Sequence, residues 1–244
     1  MKRRIKAALV IAGLLVLVLA AAMAAYIAPA TLEEGAYAAL VSDEAVRVAE
    51  EKNGISLFPT VQADRGFIFY TGARVPPAAY AAILKPLAQR GIAVFIPRLP
   101  FNFAIFDIER AGAIIAENPG ITRWYLGGHS LGGASAAFFV HENPDAVEGI
   151  AFLASYPAGQ ADLSSWRGRA LSLAADQDGL ATLEKFAAAS AFLPRDTVAI
   201  VLEGANHAGF GRYGQQKGDG SATMPKDEQE RRTAEALYAF IMGE

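Results

Sequence analysis

The sequence predicts an α/β fold: a mostly parallel central sheet with helices on both faces. Three observations predict it. Short, largely apolar runs recur from about residue 55 to residue 202. Stretches with one apolar face at helical spacing lie between them. Prolines and glycines mark several of the junctions.

The runs lie at 67–70, 92–96, 124–126, 150–153, 170–173 and 198–202. They lack the alternation of half-exposed strands, so each suits a central parallel strand covered on both faces. A run near 55–58 adds an edge strand. Between them, Pro76 and Pro77 open a helix with Tyr80, Ile83, Leu84 and Leu87 at helical spacing, and Gly91 closes it. A second helix is expected over about 104–117, and a third, rich in small residues, just after Ser130. A fourth carries Leu183, Phe186 and Ala187. The last begins near Pro225, aligns Ala234, Leu237, Tyr238 and Ile241, and stops at Gly243. Alternation of this kind implies a parallel sheet, whose ligands sit in loops at the carboxyl ends of the strands.

Composition narrows the partners. The 244 residues carry a formal net charge of −3, which leaves no cationic footprint for nucleic acid. There is no cysteine, so disulfides, thiolate metal sites and thiol nucleophiles are excluded. No metal and no cofactor is expected. The segment 209–214 matches G-x-G-x-x-G in form, but only one helix follows it and no βαβ unit does. It reads instead as a mobile flap.

The N-terminus stands apart. Lys2, Arg3, Arg4 and Lys6 precede a stretch, 7–32, without a charged residue, long enough to cross a bilayer. Glu33, Glu34 and Asp43 follow it. The positive-inside rule then places residue 1 in the cytoplasm and the folded part outside, as a single-pass anchor in the cell membrane. A cleaved signal peptide is the alternative, with small-x-small sites at Ala20 to Ala22 and Ala22 to Ala24; it makes the product secreted or periplasmic. The chain divides accordingly into 1–32, anchor or signal, and 33–244, the catalytic-type domain.

Immediately after the run at 124–126 come Gly127, Gly128, His129, Ser130, Leu131, Gly132 and Gly133. Gly128, Ser130 and Gly132 form G-x-S-x-G, a strand-to-helix turn that lifts a serine hydroxyl above the sheet. Its glycines stand where neighbouring elements approach too closely for a Cβ. A serine hydroxyl needs a base. Of the three histidines, His129 lies within the turn, and His141 sits where it caps a helix C-terminus. His207 follows the last apolar run on a strand-end loop, late in the chain, which fits the order serine, acid, histidine. The acid lies after the run at 170–173, where Asp176 and Asp178 both qualify. Asp178 is favoured because Gly179 permits a tight turn toward the site; Asp176 remains the alternative.

These segments, with Gly204, Ala205 and Asn206 before His207, resemble the α/β-hydrolase superfamily, and most of all its short, capless bacterial branch near the dienelactone hydrolases. The likeness covers about 55–242. It implies an α/β-hydrolase fold and hydrolysis through an acyl-enzyme. Dienelactone hydrolases proper use a cysteine nucleophile, which this chain lacks, so their substrate is not implied. The resemblance also implies an oxyanion hole from two N–H groups: that of Leu131, and that of Ala73 in the loop Thr71, Gly72, Ala73, with Thr71 where proline is frequent. Arg74, Arg98 and Arg212 add positive charge to loops at the same edge. Only 154–169 separates the two strands between which a cap is usually inserted, so little or no cap is expected. The function expected is an esterase-like serine hydrolase acting on a small-molecule acyl substrate. Acyl transfer by the same triad and a non-catalytic, membrane-tethered binding module are the alternatives.

Overall fold

The apolar runs pair into one eight-stranded sheet in the computed structural model, which describes residues 2–244 and the side chains of 13–25 and 27–244. β1 (Val46–Glu51) and β2 (Gly54–Pro59) make an antiparallel hairpin at one end. β2 pairs antiparallel with β4 (Ala93–Pro97), which lies parallel to β3 (Arg65–Tyr70). β5 (Arg123–His129), β6 (Gly149–Leu153), β7 (Arg169–Ala175) and β8 (Val198–Leu202) continue in parallel. The order across the sheet is β1-β2-β4-β3-β5-β6-β7-β8.

Helices cover both faces. The side chains of β3 show the division, since successive residues point to opposite faces of a strand. Phe67 and Phe69 join a core with Ile83, Leu84 and Leu87 of α2 (Ala81–Gln89) and Leu237, Phe240 and Ile241 of α6 (Lys226–Met242). Ile68 and Tyr70 join the opposite core with Ala111 and Ile114 of α3 (Arg110–Glu117) and Ala136, Phe139 and Val140 of α4 (Leu131–Glu142). α5 (Leu183–Ala189) brings Phe186 to the first core. Each such fully buried Phe, Leu or Ile is worth ~1.5–3 kcal/mol relative to exposure.

Three elements differ from the sequence reading. β1 is an additional strand, so β2 is not the edge. β8 is an edge strand, not a central one: Val198 is 52 % and Val201 48 % exposed. The helix expected over 104–117 starts at Arg110, because Phe101 and Asn102 take left-handed φ of 53° and 56° and the chain makes only short 3-10 turns before it.

Ahead of the sheet, α1 spans Lys2–Ile27. The basic start and the apolar side chains up to residue 12, on which the membrane expectation partly rests, lie outside the described side chains. Among the described residues no helix is long and apolar enough to cross a membrane. The apolar side chains that are described, from Leu14 to Leu19, are 58–66 % exposed. Packing against the domain begins at Ala30 and Leu32, which sit on the first core.

Candidate active site

Register brings the expected residues to one edge. Tyr70 pairs with Gly128, His129 with Leu153, Leu153 with Leu173 and Ala175 with Leu202. The loops that carry Ala73, Ser130, Asp178 and His207 therefore leave the sheet at its carboxyl edge, as expected of a parallel sheet.

Ser130 caps α4 with φ 53° and ψ −124°, a conformation that costs a non-glycine residue ~1–3 kcal/mol. Its surroundings hold it there. Its N–H donates to Leu153 O at 3.0 Å, and its carbonyl accepts the Ser155 hydroxyl at 2.6 Å. A Cβ on Gly132 would lie 2.2 Å from Tyr70 O, and one on Gly128 would lie 2.5 Å from Gly132 C. Both glycines are thus required by backbone-to-backbone contact.

The acid and base meet below the surface. His207 Nδ1 stands 2.7 Å from Asp178 Oδ2, with side chains 2 % and 0 % exposed. Asp178 Oδ1 accepts the N–H groups of Leu180 and Ala181, each at 2.7 Å, which fixes the carboxylate plane. Asp176 is elsewhere: it is exposed, and its Oδ1 accepts Gly204 N–H at 2.6 Å. Of the two aspartates, Asp178 is the one brought to His207. His207 Nε2 is buried and has no hydrogen-bond partner among the described residues. Ser130, Leu131 and His207 line one pocket of about 290 Å³ with Ala134, Ala154, Ser155, Tyr156, Leu180 and Ala181. His141 is far from this chemistry, in the last turn of α4, with Nδ1 3.1 Å from Asp162 O.

Two features of the site were not read from the sequence. The first is Asp219. Its Oδ1 accepts N–H groups of His207 (3.2 Å), Gly220 (2.8 Å) and Gly179 (3.4 Å), and its Oδ2 that of Ala208 (2.8 Å). One carboxylate therefore joins the acid turn, the base loop and the glycine-rich segment after it. The backbones interlock at the same place: a Cβ on Gly179 would lie 2.2 Å from Gly218 O, and one on Gly220 2.0 Å from Gln177 O. Asn206 Nδ2 donates to Gly220 O, and Thr223 and Met224 N–H to Gly204 O. The segment expected to be a mobile flap, 209–214, is itself fastened: Gly209 N–H donates to Asn206 Oδ1 at 2.9 Å and Arg212 N–H to Ala79 O at 2.8 Å. Two of its G-x-G-x-x-G glycines serve close packing, Gly209 on Gln229 and Gly211 on Tyr213 and Tyr80, while Gly214 takes a left-handed φ of 79°.

The second is a buried pair behind the base. The His129 ring lies 4.5 Å from the His207 ring, centroid to centroid. The Tyr80 oxygen accepts Gly72 N–H at 2.9 Å, so its own proton goes to His129 Nδ1 at 2.9 Å. Burial pushes the Tyr80 phenol up, which keeps it protonated. Burial, and then the neighbouring His207, hold His129 well below the usual imidazole range, so it stays neutral. The Tyr80–His129 pair thereby connects the Gly72 loop to the ring of His207.

Among the described residues, the N–H groups of Ala73 and Leu131 have no acceptor. Arg212, one of the positive charges expected at this edge, is committed to Glu230 (2.6 Å) and Asp227 (2.7 Å). No group of three or more His, Asp or Glu side chains among the described residues could hold a metal ion. The connection from β6 to β7 contains only a 3-10 turn, Gly159–Ala161, and no inserted cap.

A family model described as the alpha/beta hydrolase family matches residues 66–231, which include every site segment above. The chain belongs to the alpha/beta hydrolase family. Solved structures agree on the fold. A CIB-like hydrolase from Thermoplasma acidophilum superposes with a TM-score of 0.60 at 16% identity, covering 79% of this alpha/beta hydrolase and 99% of that chain. Est1E from Butyrivibrio proteoclasticus gives 0.58 at 13% identity, covering 82% and 98%. The esterase domain of a Rhodothermus marinus protein gives 0.58 at 14% identity, covering 80% and 96%. No curated protein matches the sequence.

Proposed function

We propose that this alpha/beta hydrolase is a serine esterase that works outside the cytoplasm, tethered by α1 or released after its cleavage. One observation carries the enzymatic reading: the buried 2.7 Å contact between Asp178 and His207, in the pocket that Ser130 also lines. Asp178 holds the imidazole with its proton on Nδ1, which leaves Nε2 as the lone-pair nitrogen. That atom has no other partner. Ser130 Oγ attacks the ester carbonyl and passes its proton to His207 Nε2. The N–H groups of Leu131 and Ala73, both without acceptors, receive the oxyanion. His207 then protonates the leaving alcohol, and a water activated by the same nitrogen releases the acid from Ser130.

The acyl substrate is small. The pocket is about 290 Å³ and lies under no cap, at the lower end of the volumes that enclose small molecules. The location rests on the basic start, the uncharged stretch 7–32 and the exposure of Leu14 to Leu19.

A fluorophosphonate probe tests the enzymatic reading. It should label Ser130 in the native chain and nothing in Ser130→Ala, which should unfold at the native temperature. Labelling that survives the substitution would sink the assignment.

A further inference from the structure

The loop from Leu99 to Asp107, between β4 and α3, carries an apolar surface that the esterase chemistry leaves unused. Phe101 is 61 %, Ile105 43 % and Phe106 63 % exposed. The three phenylalanines form one cluster, with Phe106 6.3 Å from Phe101 and 5.8 Å from Phe103 between ring centroids. Soluble surfaces rarely gather exposed large apolar side chains in this way without a partner. The loop is built rather than loose. Phe101 and Asn102 both take left-handed φ, a conformation that asparagine tolerates and that strains a phenylalanine. The base is pinned, since the Tyr70 hydroxyl donates to Ile108 O at 2.6 Å and accepts Ala111 N–H at 2.8 Å.

What covers it follows from where α1 ends. Ala30 N–H donates to Arg74 O at 2.8 Å, and Arg74 N–H donates to Asn102 O at 2.8 Å. α1 ends at Ile27, and the three residues from there to Ala30 can span at most about 11 Å. The exit of the apolar helix is therefore tied, by two backbone hydrogen bonds, beside the aromatic loop. Arg74 and Arg98 are exposed at the loop's base. Aromatic tips with basic neighbours are the side chains that settle at a lipid headgroup boundary.

We propose that the Phe101, Ile105 and Phe106 surface docks on the same lipid surface that α1 enters, turning the carboxyl edge of the sheet and its pocket toward the bilayer. This rests on the reading of α1 as membrane-inserted, and adds to it a second, peripheral contact and a fixed orientation. Ester substrates presented at that surface then meet Ser130 without first leaving it.

The absence of cysteine makes the test direct. Phe106→Cys and Val61→Cys, each in the full chain, would be coupled to an environment-sensitive fluorophore. Val61 is 65 % exposed and precedes β3, at the opposite edge of the sheet. Each protein would be placed in phosphatidylcholine–phosphatidylglycerol vesicles with and without brominated acyl chains. Flotation reports on α1, quenching on the loop, and turnover of a water-soluble ester on Ser130, so failure of the docking alone can be told from failure of the anchor or of the enzyme. Docking predicts about a two-fold loss of emission from residue 106, at a depth of ~5–10 Å, and none from residue 61. A floating protein with residue 106 unquenched overturns docking while leaving the anchor in place. Quenching at both positions overturns the fixed orientation. A blue-shifted but unquenched label at 106 means that protein, such as a second copy of the chain, covers the loop, and overturns the proposal. Failure to float overturns the anchor and the docking together.

Discussion

Asp178→Asn would separate the acid's electrostatic and geometric work from mere bulk. Asp178 Oδ1 receives two N–H groups, from Leu180 and Ala181, and Oδ2 faces His207 Nδ1. An asparagine must keep its oxygen toward the two N–H donors, because reversing it leaves both unsatisfied in a buried place, at ~1–3 kcal/mol each. Its NH₂ then faces His207 Nδ1 and forces that nitrogen to accept. The ring proton moves to Nε2, the atom that has to take the Ser130 proton. The fold should survive, since the volume and both contacts to backbone N–H groups persist, and only the contact to His207 reverses its direction. Turnover should fall by about 10⁴-fold, or ~5 kcal/mol at ~1.4 kcal/mol per decade, with KM little changed. Asp176→Asn, at an exposed carboxylate that holds only Gly204 N–H, should stay within a few-fold of native. The assay is steady-state hydrolysis of p-nitrophenyl acetate, with thermal unfolding as the control. A loss in Asp178→Asn smaller than about tenfold, or a larger loss in Asp176→Asn, would refute the tautomer argument.

Other expectations follow from the same geometry. Asp219→Ala removes the acceptor for His207, Ala208, Gly179 and Gly220 N–H and should lower kcat ~10–100-fold through misplacement of the base; Asp219→Asn keeps the Oδ1 contacts and should recover part of it, whereas equal losses would mean that the charge, not the positioning, matters. His129 has its proton affinity depressed in the fold, so as pH falls below its ordinary value of ~6.5 the unfolded chain takes up a proton that the fold refuses, and stability declines by up to ~1.4 kcal/mol per pH unit until the folded value is reached. Thermal midpoints across that window should slope less in His129→Gln; an unchanged slope would assign the effect to another group. Rates on p-nitrophenyl esters should fall from short to long acyl chains, given a pocket of about 290 Å³ without a cap; a preference for long chains would show that the groove extends beyond the lining described.

The strands that sequence reading found are those with a largely apolar stretch at their centre. β1 was passed over because Arg47, Glu50 and Glu51 break its pattern, as they do on an antiparallel edge with one wet face. β8 misled in the opposite sense: an apolar run states what a strand is made of, not whether a neighbour covers it. The positions of Ser130 and His207 were legible because a strand-to-helix turn and a strand-end loop each leave a local mark. Asp176 and Asp178 flank the same turn, and only the approach of β8's loop separates them. Asp219, Tyr80 and His129 left no such mark. Their contacts reach as far as 49 residues along the chain and follow no recurring spacing. The fastening of the glycine-rich segment was missed for the same reason, since composition alone reads it as loose.

The glycine contacts at that segment limit how this enzyme can be altered. Gly179 and Gly220 fit backbone against backbone, so the seating of the acid turn on the segment 218–220 cannot be loosened or tightened by degrees. Changing the acid turn alone, or grafting another loop after His207 alone, meets a main chain that has no room to give. The two must be exchanged as a matched pair, 177–179 with 218–220. Between them lies a different kind of ground: Gln215 and Lys217 are exposed, although Gly214 before them, at a left-handed φ of 79°, has to stay glycine. Diversity introduced there, by selection or by design, can reshape the surroundings of the pocket while the acid–base distance stays as it is.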